Sequence, residues 1–257
     1  MRALSLMLAL LLQVAAAHGQ ALALPPQHQT TFDQHLGRQL PLQTMLVDEQ
    51  GRPVRLGSFF GDTPVIVVFG YYHCPNLCST LMEGVLQTLA ALDLPTSSYR
   101  LVGISIDPTE TPAMAAAKEA GYRPLLPGVD MHLLTGSGEA THRLASVAGF
   151  HYWYDKASKQ YVHPSGFLIA TPKGVISRYF MGVRFDQEAV RKALQQAAGG
   201  GIGALAHQLL LLCCSYDPAT GKYSITIMNV IRLVCFAIVA VLGGWIALRL
   251  RPRRRAR

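Results

Sequence analysis

Cysteine is scarce in this chain of 257 residues, five in all. Only Cys74 and Cys78 fall in its central part, while Cys213, Cys214 and Cys235 come late. Two thiols do not close a structural zinc site, which asks for four ligands. A disulfide between residues four apart would restrain the unfolded chain less than one closing a long loop. Acidic side chains are also few, 15 against 23 Lys and Arg, for a formal net charge of +8. Six of those arginines stand in the final RLRPRRRAR, and without them the balance falls to about +2. The basic character is therefore local, and no nucleic-acid partner is needed to explain it. Internal repeats and long low-complexity tracts are absent too, which argues against a solenoid or a disordered array.

What the chain does have at its ends is apolar sequence. Arg2 precedes a run from Leu4 to Ala17 broken only by Ser5 and Gln13, and the small residues of VAAAHGQALA follow. This is the pattern of a signal peptide over residues 1–23, cleaved after about residue 17 or 23. An uncleaved anchor is the alternative, but the run is shorter than the ~20 residues of a comfortable span. Near the other end LVCFAIVAVLGGWIAL carries no charge, and a transmembrane helix is expected over residues 225–248 if Arg232 reaches the interface. The basic tail, residues 249–257, fits a cytoplasmic flank. Between these ends lie an exported domain, residues 24–198, and a glycine hinge with a membrane-proximal segment, residues 199–224.

Within that domain PVIVVFG is short, continuous and rich in valine and isoleucine, as a fully buried strand should be. Pro75 suits the first turn of a helix, and Leu81, Val85, Leu86, Leu89 and Leu92 continue at helical spacing. YRLVGISIDP predicts a second strand. In TETPAMAAAKEAG, Thr111 is the expected cap, Pro112 the first helical residue and Gly121 the stop. MHLLTG and SGEATHRLASVAG predict a third strand and helix. SGFLIATPKGVISRYF predicts two strands joined at residues 171–174, and a last helix starts at Asp186. Strands alternating with helices and closed by a hairpin point to an α/β sandwich. With Cys74 at a strand-to-helix junction, the expected fold is thioredoxin-like.

The stretch YYHCPNLC admits a disulfide, a redox couple or a pair of metal ligands. A helix start favours the thiolate, the form that reacts and binds metal. The usual oxidoreductase pattern has two residues between its cysteines, and here there are three. Positions four apart share a helix face, so both thiols can converge on one external point. Thiolates select soft cations such as Cu(I), or Zn(II), and imidazole suits copper and zinc alike. Two cysteines and one of nine histidines make a low-coordinate Cu(I) site easier to build than structural zinc. His163, between QYV and the strand SGFLI, is a candidate donor that spacing alone does not single out.

YYHCPNLC, GISIDPTETP and YVHPSGFLIATPKGVISRYFMG together resemble, in order and spacing, the three signature blocks of the Sco/SenC family of copper proteins. The resemblance covers roughly residues 44–198 and implies a thioredoxin-like fold with copper, as Cu(I) and in some states Cu(II), held by Cys74, Cys78 and His163. It implies an assembly factor rather than an enzyme in the strict sense. Such a factor delivers copper to the copper A centre of cytochrome c oxidase subunit II, or reduces the cysteines that receive it. It also implies an upstream periplasmic copper chaperone as donor, and a bacterial inner-membrane protein whose main domain faces the periplasm and whose helix sits in lipid. The competing function is a thiol-disulfide oxidoreductase in which Cys74 attacks and Cys78 resolves. Asp107 is expected either to support the metal loop or dock a partner, or merely to form the turn before Pro108. His73 and His151 are expected to be structural. Cys213 and Cys214 are expected to be small apolar residues at the interface, with an auxiliary thiol pair as the alternative.

Overall fold

The structure, a computed structural model, describes residues 30, 32–73, 77–203, 216–217, 222–223, 233 and 235. The chain divides into two units, Met1–Gly203 and Ala204–Arg257. In the first, a small antiparallel pair, β1 (Met45–Val47) and β2 (Pro53–Arg55), precedes the main elements. These are β3 (Val65–Gly70), α1 (Leu77–Ala90), β4 (Arg100–Ser105), α2 (Pro112–Tyr122), β5 (Asp130–Leu134) and α3 (Gly138–Val147). A hairpin follows, β6 (Trp153–Asp155) with β7 (Gln160–Val162), then β8 (Gly166–Ala170), β9 (Ile176–Met181) and α4 (Gln187–Ala198).

The five-stranded sheet runs β5-β4-β3-β8-β9, parallel among the first three and antiparallel at β3–β8 and β8–β9. Successive side chains of a strand point to opposite faces, and β3 divides accordingly. Val65, Val67 and Phe69 join one core with Val102, Ile104, Leu144 and Phe150. Ile66 and Val68 join the other with Leu81, Val85, Leu86, Leu89 and Leu101. That is why PVIVVFG is apolar without alternation: both faces of the central strand are covered.

Local signals set most boundaries. Thr111 caps α2 by accepting from the Met114 amide, and Asp186 caps α4 by accepting from the Ala189 amide at 2.7 Å. Gly121, expected to end α2, does not, because a glycine stops a helix by taking a left-handed φ and Gly121 is not among those that do. The helix runs on to Tyr122 and passes at Arg123 into a single tight turn containing Pro124. In the second unit Tyr216–Asp217 and Lys222–Tyr223 pair as β10 and β11. Among the described residues no helix is long and apolar enough to cross a membrane. The expected signal peptide lies outside the described residues, as does the expected span apart from Leu233 and Cys235.

Candidate metal centre

The described motif residues gather at the C-terminal end of the central strand, where β3 runs into Tyr71, Tyr72 and His73. Cys74 lies outside the described residues, and Cys78 stands in the first turn of α1. A helix start offers unpaired amides and the positive end of the dipole, which favour a thiolate. From the other side, Val68 of β3 stands opposite Phe167 of β8. That register carries the segment just before β8, from His163 to Ser165, to the same end of β3.

Tyr71 joins the two segments. Its buried ring lies 5.4 Å from that of His73 and 5.9 Å from that of His163, edge-on to both. Phe150 packs on His163 at 5.7 Å. The His163 Nδ1 stands 2.9 Å from the Pro164 carbonyl, which only accepts, so Nδ1 carries the proton and Nε2 the lone pair. Burial pushes the pKa of this imidazole below its ordinary value, against the pull of the Pro164 carbonyl. His163 is therefore a neutral Nε2 donor near pH 7, the form that copper and zinc accept.

Carboxylates hold the loop from beneath. Glu110, its side chain fully buried, accepts at Oε1 from the Tyr72 amide (2.6 Å), the His73 amide (2.8 Å) and His73 Nδ1 (2.6 Å). Its Oε2 accepts from the Ser105 hydroxyl at 2.6 Å. Asp107 makes the turn the sequence suggests, accepting at Oδ1 from the amide and hydroxyl of Thr109. Its other oxygen lies 3.7 Å from His73 Nε2, so the turn residue is also a neighbour of the cysteine loop. Tyr72 closes the arrangement by donating its hydroxyl to the Leu134 carbonyl at 2.6 Å.

His163, Asp107 and the entry to the Cys74 loop thus meet at the C-terminal end of β3. His151 does not join them; it pairs with Asp33 at 3.1 Å on the exposed surface. Glu110 and Ser105 are not among the residues the sequence singles out, and His73, expected to be structural, is bonded to Glu110. The signal for Glu110 was a carboxylate three residues past Asp107, in the loop at the C-terminal end of a buried parallel strand. Beside Asp107 lies an open groove of about 670 Å³ whose lining includes Ile106, Pro108, Tyr152 and Tyr161. Among the described residues no group of three or more His, Cys, Asp and Glu is gathered to hold a metal ion; Cys74 is outside that set.

Comparison with known proteins identifies the family and the fold. The family described as SCO1/SenC matches residues 37–199. A mitochondrial SCO2 homologue of Bos taurus is 28% identical over 155 residues, covering 56% of this chain and 54% of that protein. The chain therefore spans about half the length of this curated relative. Among solved structures, Arabidopsis thaliana ScoI with copper bound has a TM-score of 0.51 at 19% identity, over 59% of this chain and 96% of the other. BsSco, a member of the Sco family of cytochrome c oxidase assembly proteins in which a disulfide switch was identified, gives 0.52 at 19%, over 66% and 99%. These two likenesses establish the mixed α/β, thioredoxin-like fold. With a family match that spans well over half of its length, this chain belongs to the SCO1/SenC family.

Proposed function

We propose that the protein carries copper on Cys74, Cys78 and His163 and serves the assembly of cytochrome c oxidase. The observation that carries the reading is the neutral Nε2 donor of His163, held beside the cysteine loop through Tyr71. Two thiolates and one imidazole form a soft donor set suited to Cu(I). The copper bound by the Arabidopsis relative and the role in oxidase assembly of BsSco support the assignment. Copper is here a cargo. It passes by ligand exchange to a similar soft site, the copper A centre of subunit II, after arriving from an upstream chaperone. We place the domain in the periplasm, held at a bacterial inner membrane by the apolar segment over residues 225–248 with the arginine tail in the cytoplasm.

A second reading is favoured by the helix start at Cys78. In it the Cys74 thiolate attacks a target disulfide, and Cys78 displaces the target from the mixed disulfide. The target leaves as a dithiol, and Cys74 and Cys78 are left oxidised. An anaerobic Cu(I) competition titration of the full chain, with and without His163→Ala, separates the two. One tight equivalent weakened at least about tenfold by the substitution makes copper carriage the primary act. Weak binding indifferent to His163, beside a readily reduced Cys74–Cys78 disulfide, makes the protein a reductant instead.

A further inference from the structure

The Glu110 carboxylate receives four hydrogen bonds, three of them from the two residues immediately before Cys74. Its side chain is shut off from solvent, and the Ser105 hydroxyl that fixes it is itself buried and accepts from the Asp107 amide at 3.1 Å. Charge-assisted bonds of this kind are about twice as strong as neutral ones, and a buried charge acts over a longer distance than one in water. One carboxylate thus fixes the two residues that lead directly into Cys74, and its charge is buried beneath that turn.

Resting on the copper reading above, we propose that Glu110 is a positioning residue that holds the cysteine loop in its ligating conformation and biases the site toward the more highly charged copper ion. The charge argument is direct. Two thiolates and a neutral imidazole give Cu(I) a complex of charge −1 and Cu(II) a neutral one. An adjacent carboxylate therefore disfavours the first relative to the second. Asp107, 3.7 Å from His73 Nε2, adds to the same field.

Two substitutions separate reach from charge. Glu110→Gln keeps an acceptor oxygen at the same reach and removes the charge; Glu110→Asp keeps the charge and withdraws the acceptor by one methylene. Both are compared with the parent in the full chain, with Cys213, Cys214 and Cys235 replaced by serine, at pH 8, above the ordinary imidazole range. Cu(I) and Cu(II) affinities are measured by competition. For the Gln variant the ratio of Cu(II) to Cu(I) affinity is expected to fall by about tenfold, a rise of about 59 mV in the copper potential, with Cu(I) affinity nearly kept. For the Asp variant Cu(I) affinity is expected to fall by about tenfold with the ratio nearly unchanged. A parental ratio in Glu110→Gln overturns the charge role, and parental affinity in Glu110→Asp overturns the positioning role. If the parent itself binds no copper, the copper reading falls. Positioning is then decided by equilibrium of the Cys74–Cys78 disulfide with dithiothreitol, where a parental constant in Glu110→Asp overturns it and a severalfold change upholds it.

Discussion

Tyr72 ties the cysteine loop to the sheet at both ends of the residue. Its amide serves Glu110, and its phenol donates to the carbonyl of Leu134. Burial, then the charges of Glu110 and Glu49, hold that phenol well above the ordinary tyrosine range, so it remains a neutral donor at any physiological pH. Tyr72→Phe keeps the ring and strips the Leu134 carbonyl of this donor. A loss of about 1–3 kcal/mol is expected for a buried group so orphaned, read as a lower urea midpoint at unchanged slope. His163 belongs to the same scale. Its folded pKa lies below the unfolded value of about 6.5, so the unfolded state binds a proton first as pH falls. Its share of stability is full above that pH and is lost as the pH drops toward the folded value. Denaturation profiles of the parent and His163→Ala should differ in slope as the pH falls below about 6.5 and run parallel above pH 7; equal slopes below about pH 6.5 would refute the assignment.

At the scale of elements, α1 lies flush against the chain following β9. Gly84 permits this: a Cβ there would stand 2.2 Å from the Val183 carbonyl oxygen. Alanine gains up to about 1 kcal/mol in helix propensity, but a backbone clash of that depth forces α1 outward at a cost of about 1–3 kcal/mol. Gly84→Ala is therefore expected to destabilise the protein on balance, measurable as a lower Tm. Leu86, fully buried on the same helix, reports on packing alone, and Leu86→Ala is expected to cost about 2–5 kcal/mol. The β6–β7 hairpin is the other element that shapes the site. Tyr161 packs edge-on against Tyr71, Tyr152 and Tyr154, and the strand it stands on leads directly into His163.

Across the whole molecule the β5 edge carries a second electrostatic feature. Glu119 is buried with Oε2 lacking a partner, and Glu49 is buried with one orphan oxygen as well. Burial, and then the charge of Glu49, raise the Glu119 pKa, with Arg123 pulling it down. For an acid whose folded pKa is raised, the folded state keeps its proton longer. Stability tied to this group is thus present at low pH and lost as the pH climbs from about 4.5 through the folded value. Glu119→Gln should flatten that part of the stability profile, and an unaltered profile would count against the effect.

The amino-acid order alone determined the class of fold and most of its parts. Runs such as PVIVVFG, caps such as Thr111 and Asp186 and the turn at residues 171–174 are local matters of side-chain size, hydrogen bonding and backbone freedom. Three short blocks likewise sufficed to indicate the family. Other features follow from packing between distant segments. Gly121 was read as a helix end because composition does not reveal φ. The hairpin at residues 153–162 was passed over because its strands are three residues each and stand apart from the main sheet. His163 was one histidine among nine until the β3–β8 register brought it to Tyr71. Glu110 lay 37 residues from His73 in sequence and became its partner only through the parallel pairing of β3 with β4. Tertiary structure decided the last two relations because each sets a buried carboxylate or a packed ring against a group from a distant segment.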